Sequence, residues 1–156
     1  MKNNQDVEML TKRVIELEDK EIIRDLLSNY AMQVDLCRYD AFMNLWTDDS
    51  VFITDGPGTT IEKRGKEEIK SYLVGLLPKS DAGTQHLQLD YQIQVDGKTA
   101  RAVGYQLITS SKTAVPSIAR CALRTFTFKK KRGKWLIQEA ISRSMTNAKE
   151  CQKLVK

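Results

Sequence analysis

The residue in this sequence best suited to chemistry is His86, the only histidine among 156 residues. It lies in the segment Gly83-Thr84-Gln85-His86-Leu87, where we predict that a strand begins. An aspartate, Asp35, lies at the end of an earlier predicted helix. Imidazole can take up or release a proton near neutral pH, and a carboxylate beside it fixes its tautomer and stabilises the imidazolium. If the fold brings the two together, they form a general base for proton transfer.

A single histidine limits the metal chemistry open to this chain. Zinc sites with two histidines and iron sites with two imidazoles need residues that it does not have. Its three cysteines, Cys37, Cys121 and Cys151, are widely spaced and include no Cys-x-x-Cys pair, which favours reduced thiols in a cytoplasmic protein. We expect no metal and no cofactor, because imidazole alone can perform the proton transfer.

The net charge of +5 raises the question of nucleic-acid binding. Much of it comes from residues 129–134, between two predicted strands, where a run of lysines is typical of a solvated hairpin turn. No basic stripe with interleaved aromatic residues is present, so we expect no nucleic-acid partner. No apolar run approaches the roughly 20 residues that cross a bilayer, so we expect no membrane partner.

Size and composition are those of a globular protein with one core. The chain is 41% hydrophobic and 29% charged, and no internal repeat or low-complexity linker divides it. Residues 1–6 lack the apolar core of a signal peptide. We predict a single domain over residues 1–156, with its core over about 8–145 and a polar tail over 146–156.

The first half of the sequence has helical periodicity. Apolar residues at helical spacing predict helices over 7–17 and 22–34, with little break between them. The predicted buried stripe of the first helix consists of Val7, Leu10, Val14 and Leu17. The following predicted elements are a short helix over 40–46, a turn over 47–50, a strand over 51–54, a turn over 55–58, and a helix over 66–77 that buries Leu76 and stops at Pro78.

From residue 84 onward the apolar period changes from helical to alternating, with Leu87, Leu89, Tyr91, Ile93 and Val95 on one predicted face. Further strands are predicted over about 99–110, 118–130 and 135–145. Helices followed by an antiparallel meander indicate an α+β domain. In such a domain a curved antiparallel sheet wraps around the N-terminal helices and leaves a cone-shaped pocket.

At this point the sequence resembles a known family. The motifs that carry the resemblance are Tyr30-x4-Asp35, Asp40-Ala41-Phe42-x2-Leu45-Trp46, Gly65-Lys66-Glu67-Glu68-Ile69, His86, Asp96-Gly97 and Gly133-Lys134-Trp135. In this order they are similar to the SnoaL-like branch of the nuclear-transport-factor-2-like superfamily, over roughly residues 8–145. That branch includes scytalone dehydratase, a hexachlorocyclohexane dehydrochlorinase and bile-acid 7α-dehydratase.

The resemblance implies a cystatin-like cone fold and catalytic roles for three residues. In the resembling enzymes the aspartate that matches Asp35 pairs with the catalytic histidine, here His86. In the resembling dehydratases the tyrosine that matches Tyr30 hydrogen-bonds the substrate carbonyl or a leaving oxygen. The resemblance also implies assembly as a homodimer or homotrimer through the sheet face. It is much more specific for the fold than for the reaction, since this fold also serves binding and transport.

Each of the three residues has a purely structural alternative. Asp35 could be a turn carboxylate beside Arg38, and Tyr30 could be a core residue. Strict alternation places His86 opposite the apolar face of its strand, where it would be an exposed strand-end histidine. It reaches the pocket only if a β-bulge redirects its side chain or the strand begins irregularly.

Candidate substrate-binding residues are Arg143, Trp46, Tyr105 and Phe52. Alternation places Arg143 on an inward face with Trp135, where a buried guanidinium needs an anionic ligand or a carboxylate. Glu139 on the same predicted face could neutralise it, which would be a structural explanation. The chain lacks the second active-site histidine of scytalone dehydratase, whose role would require Tyr105, Arg120, Arg143 or a water.

Two function classes follow. The first is a cofactor-independent lyase or isomerase, dehydratase-like, that acts on a small and mostly apolar carbonyl or hydroxy compound in the pocket. His86 would abstract a proton, Asp35 would orient and charge-balance it, and Tyr30 would stabilise the oxyanion. The alternative is a non-catalytic small-ligand-binding or oligomerisation domain of the same fold.

Overall fold

The computed structural model describes residues 2–56, 58–76, 83–111 and 114–155. Its elements in chain order are α1 (Lys2–Asp35), α2 (Tyr39–Met43), β1 (Trp46–Gly56), β2 (Thr59–Arg64), α3 (Gly65–Leu76), β3 (Thr84–Asp96), β4 (Thr99–Ser110), β5 (Ser117–Lys131), β6 (Lys134–Ser144) and α4 (Ala148–Leu154). The predicted α+β class, with N-terminal helices followed by a meander of strands, is confirmed.

The described strands form one six-stranded sheet in the order β2-β1-β6-β5-β4-β3. Strands β3 to β6 form the predicted antiparallel meander, and β1 and β2 are also antiparallel. Strands β1 and β6 are parallel, however, so the sheet is mostly rather than wholly antiparallel. A parallel pair needs a long crossover, and here the chain passes through β2, α3 and three further strands between β1 and β6.

The C-terminal half of α1 packs against one face of the sheet, which we call the inner face. Its buried apolar side chains are those of Ile23, Leu26, Leu27, Tyr30 and Val34. They join the aromatic residues of α2, β1 and β5 in one core, where the Tyr30 ring centroid lies 4.8 Å from that of Phe42 and 5.4 Å from that of Phe126. Removal of this apolar stripe from water holds the helix on the sheet.

The N-terminal half of α1 differs from the prediction. The two predicted helices are one continuous helix of 34 residues, about 51 Å long. The predicted stripe of Val7, Leu10, Val14 and Leu17 is 52–63% exposed rather than buried. The first buried side chain along the described part of α1 is that of Asp19, so only the half of the helix after this residue reaches the core.

Asp19 anchors α1 to the β5–β6 hairpin. Its Oδ1 accepts a hydrogen bond from Lys130 Nζ at 2.6 Å and another from Trp135 Nε1 at 2.8 Å. Burial disfavours the ionised carboxylate, but the two hydrogen bonds and the charge of Lys130 outweigh burial and lower the pKa of Asp19 below its ordinary value. This buried carboxylate therefore joins the helix to the far end of the meander.

Residues 46–50, part of which we predicted as a turn, belong to β1. Trp46 and Val51 pair with β6, and the register shifts between them, so residues 47–50 form an irregular stretch of β1 in which Thr47 and Ser50 are 1% and 0% exposed. Tertiary packing therefore overrides the turn preference of these short polar side chains. Strand β1 continues to Gly56, and of the predicted turn over 55–58, Pro57 lies outside the described residues.

Both ends of the short predicted helix and the start of the longer one also shift. Helix α2 spans Tyr39–Met43, shorter than predicted, and α3 begins at Gly65, while Pro78 and the side chain of Leu76 lie outside what is described. The polar tail forms α4, in which Cys151 is buried with its Sγ 3.4 Å from the carbonyl oxygen of Ser144. The three cysteines are not joined in disulfides. None of the described helices has the length and apolarity needed to span a bilayer.

Candidate functional site

Asp35 and His86 meet where α1 ends and β3 begins. The backbone N–H of His86 donates to Asp35 Oδ2 at 2.9 Å, and the ring Nδ1 lies 2.5 Å from Asp35 Oδ1. Both side chains are mostly buried, with 14% exposure for His86 and 20% for Asp35. An ionised carboxylate only accepts hydrogen bonds, so Nδ1 carries a proton in this pair, and in the neutral ring Nε2 then keeps its lone pair.

The backbone, and not the side chain of Asp35, closes the end of α1. Cys37 adopts a left-handed conformation with φ of 54°, and the N–H of Arg38 donates to the carbonyl of Gln33 at 2.8 Å. This arrangement is a Schellman-type helix end, which satisfies the last carbonyl groups without a side-chain cap. The Asp35 carboxylate is therefore not used as a turn carboxylate beside Arg38, and it binds His86 instead.

A β-bulge directs His86 to the inner face. Between Leu89 and Gln92 of β3, two residues lie opposite the single Gly104 of β4, and one of them, Asp90, has φ of 51°. The extra residue inverts the alternation. Ile93 after the bulge faces the core, whereas Leu87 and Leu89 before it are each 40% exposed, and His86 takes the inner position. Strict alternation would have placed His86 on the face away from the pocket. The bulge is the irregularity that redirects its side chain into the pocket.

His86 lines a cavity between α1, α3 and the inner face of the sheet, with a volume of about 90 Å³. One part of its lining is apolar and another part is polar. The apolar side chains include those of Val34, Phe52, Leu73 and Ile108. The polar or ionisable lining residues are Tyr30, Thr54, Tyr72, His86, Gln106, Arg120, Arg124 and Ser142. This combination, apolar walls with a few convergent polar groups, is typical of a small-molecule site.

Tyr30 is 3% exposed, and its hydroxyl accepts a hydrogen bond from Arg124 Nη2 at 2.7 Å. The Arg124 guanidinium also lies over the rings of Tyr30 and Phe126, at 4.7 Å from each centroid. Because the phenol oxygen accepts from Arg124, the phenol proton points elsewhere and is available to another acceptor. Tyr30 is therefore both a core residue and a polarised hydrogen-bond donor at the cavity.

Arg120 lies two residues before Ala122 and four before Arg124 on the inner face of β5, and its Nη1 donates to Thr54 Oγ1 at 3.2 Å. Burial lowers the pKa of the Arg120 guanidinium, and the like charge of Arg124 lowers it further. Two guanidinium groups thus line one small cavity, which makes its potential positive on that side.

The predicted substrate-binding residues separate into different places. Phe52 lines the cavity. Trp46 is 0% exposed in the core beside Phe42 and Phe52, and it is not among the residues that line the cavity. Tyr105 is 49% exposed on the outer face of β4, because its neighbour Gln106 takes the inner position.

Arg143 also lies on the outer face, so its predicted inward position is wrong. A bulge in β6 places Gln138 without a partner between Ile137 and Glu139, and this inverts the alternation so that Ser142 points inward. The Nη1 of Arg143 donates to Asp55 Oδ1 at 2.8 Å. The guanidinium is therefore neutralised by Asp55 and not by the predicted Glu139.

Sequence reasoning missed Arg124, Gln106 and Ser142, and it considered Arg120 only as one possible substitute for a second histidine. A signal for the arginines was present, since Arg120 and Arg124 alternate with Ala122 on the same face as the core residues Phe126 and Phe128. Gln106 also gave a signal, since it alternates with the core residues Ala100 and Ala102 on β4. The inward position of Ser142 depends on the bulge in β6, which alternation alone does not reveal.

The arrangement can transfer protons without a further group. His86 Nε2 can act as base, Asp35 can balance the imidazolium, and Tyr30 can donate to a developing oxyanion. Among the described residues, no set of three or more histidine, cysteine, aspartate or glutamate side chains is placed to hold a metal ion.

Comparison with known proteins agrees with the fold. The sequence profile of the SnoaL-like domain matches residues 15–141, most of the chain. The chain belongs to the SnoaL-like domain family. No functionally curated protein matches this SnoaL-like protein at a significant level.

Solved structures similar to this SnoaL-like protein include a nuclear-transport-factor-2-like protein with a cystatin-like fold from Novosphingobium aromaticivorans. The two are 20% identical, with a TM-score of 0.83 over 94% of this chain and 95% of that one. A protein provisionally named a scytalone dehydratase, from the same organism, is 19% identical, with a TM-score of 0.71 over 83% and 85% of the two chains. A Catenulispora acidiphila protein, solved in complex with S-DNPA, is 13% identical, with a TM-score of 0.75 over 86% and 99%. At these identities the similarity shows the fold alone, here the predicted cystatin-like fold.

Proposed function

We propose that this SnoaL-like protein is a cofactor-independent lyase or isomerase that moves protons on a small carbonyl or hydroxy compound. One observation carries the proposal. The ring of His86 is held through Nδ1 by Asp35 at 2.5 Å while the residue lines a small cavity that Tyr30 also lines. A base, its orienting carboxylate and an oxyanion donor converging on one small volume are the components of proton abstraction beside a carbonyl.

In the proposed reaction, His86 Nε2 takes a proton from the carbon next to the carbonyl. The electron pair of that C–H bond moves to form the enolate, whose oxygen accepts a hydrogen bond from the Tyr30 hydroxyl. Asp35 stabilises the imidazolium that results. If the substrate has a β-hydroxyl, the C–O bond breaks as the enolate collapses, and the imidazolium returns its proton to the departing oxygen to give water. If not, return of the proton to another carbon gives an isomer.

The names of some structural relatives also suggest a dehydratase, but they are weaker evidence than the side chains around the cavity. A Streptomyces avermitilis protein, provisionally named a dehydratase of the nuclear-transport-factor-2-like family, is 14% identical, with a TM-score of 0.69 over 83% and 98% of the two chains. Fold similarity at this level does not transfer a reaction, because this fold carries several functions. The proposal therefore rests on the side chains around the cavity.

The experiment measures the proton abstraction itself. Wild-type protein is incubated in D2O with 3-hydroxycyclohexanone and cyclohex-3-enone, and α-deuterium incorporation and enone formation are followed by NMR. We expect enzyme-dependent exchange that falls by about 10²- to 10⁴-fold in His86→Ala. The matched control is Gln85→Ala, which changes the exposed neighbour of His86 on the same strand and should leave the exchange rate unchanged.

Two outcomes would contradict the proposal. One is exchange by the wild type that His86→Ala leaves unchanged, because the base would then lie elsewhere. The other is a compound of this class that raises the melting temperature of the protein by binding but shows no exchange and no product. In that case a non-catalytic binding domain is the better description.

A further inference from the structure

Four polar side chains that line the cavity each have a buried atom that no group among the described residues satisfies. These atoms are Arg120 Nη2, Arg124 Nε, Gln106 Nε2 and Ser142 Oγ. The three nitrogens can only donate, and the hydroxyl can also donate. Buried donors are normally paired, because leaving one unpaired is unfavourable. These donors therefore lack an acceptor among the described residues.

The charges around the cavity show the same imbalance. Arg124 is 2% exposed, and neither it nor Arg120 forms an ion pair with an acidic side chain in the described part of the chain. Asp35 binds His86, and Asp55, whose charge also acts on Arg120, forms its ion pair with Arg143 on the other face of the sheet. Two guanidinium groups and the carboxylate of Asp35 leave one positive charge in excess when His86 is neutral.

We propose that the cavity binds the carboxylate of a small organic monoanion, with Arg120 and Arg124 as its main partners. A single negative charge neutralises the excess positive charge, whereas a phosphate dianion would leave a negative one. The planar guanidinium fork matches a planar carboxylate. Gln106 and Ser142 supply further donors, and the apolar wall that includes Val34 accommodates a hydrocarbon part.

If this anion is part of the substrate, which rests on the proposed function, the best substrate is a small oxo or hydroxy acid, and a neutral carbonyl compound of similar size is a poorer substrate. The carboxylate would be a binding group that takes no part in bond breaking. Its interactions with the two arginines would position the reacting carbon near His86. This would narrow the substrate class from apolar carbonyl compounds to singly charged ones.

The test measures binding and does not depend on turnover. Acetate and benzoate are titrated into the protein, with acetamide and benzamide as neutral matched probes and inorganic phosphate as a competing anion, by calorimetry and thermal shift at fixed ionic strength. We expect one of the carboxylates to bind at one site and its amide to bind at least about tenfold more weakly. Arg120→Met and Arg124→Met should each weaken carboxylate binding by about tenfold or more. Arg13→Met, which removes an exposed guanidinium from α1, should have no effect.

Several results would overturn the inference. These are no binding of either carboxylate, equal affinity for the matched amide, tighter binding of phosphate than of carboxylate, or carboxylate binding that Arg120→Met does not alter. Arg124 is part of the core, so if its variant does not fold, Arg120→Met decides the question, because Arg120 is only partly buried. His86→Ala should retain carboxylate binding. Binding that depends on the arginines, combined with absence of α-proton exchange in the neutral ketones and also in an oxo acid of the same size, would reject the proposed function and leave this inference standing.

Discussion

Both carboxylate oxygens of Asp35 bind one residue, His86, with Oδ2 at 2.9 Å from its backbone nitrogen and Oδ1 at 2.5 Å from its ring Nδ1. Strand β3 is at the edge of the sheet, so the outward N–H of His86 has no neighbouring strand to bind. The last residue of α1 therefore fixes both the backbone at the start of β3 and the rotation of the imidazole. A single carboxylate both positions and orients the candidate base.

We predict that Asp35→Asn lowers α-proton exchange by about 10²- to 10⁴-fold, because the amide misplaces the ring tautomer and removes the charge that balances the imidazolium. Loss of charge-assisted hydrogen bonds should also lower the free energy of unfolding by about 1–3 kcal/mol. The rate is measured by NMR in D2O and the stability by urea unfolding. Asp40→Asn, the same change at an exposed pair with Lys70, is the control and should alter neither. Full activity in Asp35→Asn would show that the pair is structural.

Gly104 permits the bulge that directs His86 inward. A Cβ added at Gly104 would lie 2.7 Å from the carbonyl oxygen of Leu89 and 2.7 Å from Cγ of Tyr91. We predict that Gly104→Ala destabilises the protein by about 1–3 kcal/mol and reduces exchange, because the backbone of β3 must move. Gly75→Ala in α3, where an added Cβ meets no atom within 4 Å, should instead stabilise the protein by up to about 1 kcal/mol. If urea unfolding gives equal effects for the two variants, the bulge tolerates a side chain and this argument is wrong.

Asp19 should make the free energy of unfolding depend on pH. Because its pKa is lowered in the folded protein, ionised Asp19 contributes stability above its ordinary pKa of 3.8, and this contribution is lost as pH falls through the lowered value. We predict that Asp19→Asn lowers the free energy of unfolding by about 2 kcal/mol at neutral pH. The difference between the unfolding free energies of the variant and the wild type should shrink at acidic pH. Chemical unfolding at pH 7 and near pH 3 measures this. Glu18→Gln, an exposed change one residue earlier in α1, should behave as wild type. A difference that stays constant with pH would exclude Asp19 as its source.

We predict a homodimer or homotrimer that assembles through the outer face of the sheet. Leu87 and Leu89 are each 40% exposed there, and Tyr105, opposite Leu89, is 49% exposed. Leu89→Asp should produce a monomer by light scattering at high micromolar concentration, because a charge would be buried without a partner. Leu17→Asp, on the exposed stripe of α1, should leave the assembly intact. Dissociation by Leu17→Asp alone would assign the interface to α1.

The order of elements could be predicted because it depends on local patterns, whereas the contact between Asp35 and His86 was expected from the family resemblance. The change of apolar period near residue 84 separates the helices from the meander. The helical spacing of the apolar residues before it places Tyr30 and Asp35 on one helix. These features need no knowledge of which strand pairs with which.

The inward or outward direction of later side chains could not be predicted in the same way. Alternation assigned Leu87, Leu89 and Arg143 to the inner face, but one extra residue in β3 and one in β6 place all three outside the cavity. A bulge is a property of two paired strands, here the approach of β3 to Gly104, and its position cannot be read from one strand. Arg124 lies on a part of β5 without such a shift, so alternation alone could have placed it inside.

The most direct test of the account uses the fact that His86 is the only histidine. Selective ¹⁵N labelling of histidine gives signals from one imidazole, and its two nitrogens can be assigned without ambiguity above neutral pH. We predict that Nδ1 carries the proton, with a strongly downfield proton resonance from its contact with Asp35, and that Nε2 is unprotonated. In Asp35→Asn this resonance should move upfield and the tautomer should shift towards Nε2–H. An Nε2-protonated ring in the wild type, or a spectrum that Asp35→Asn leaves unchanged, would contradict the central claim that Asp35 holds His86 as a base facing the cavity.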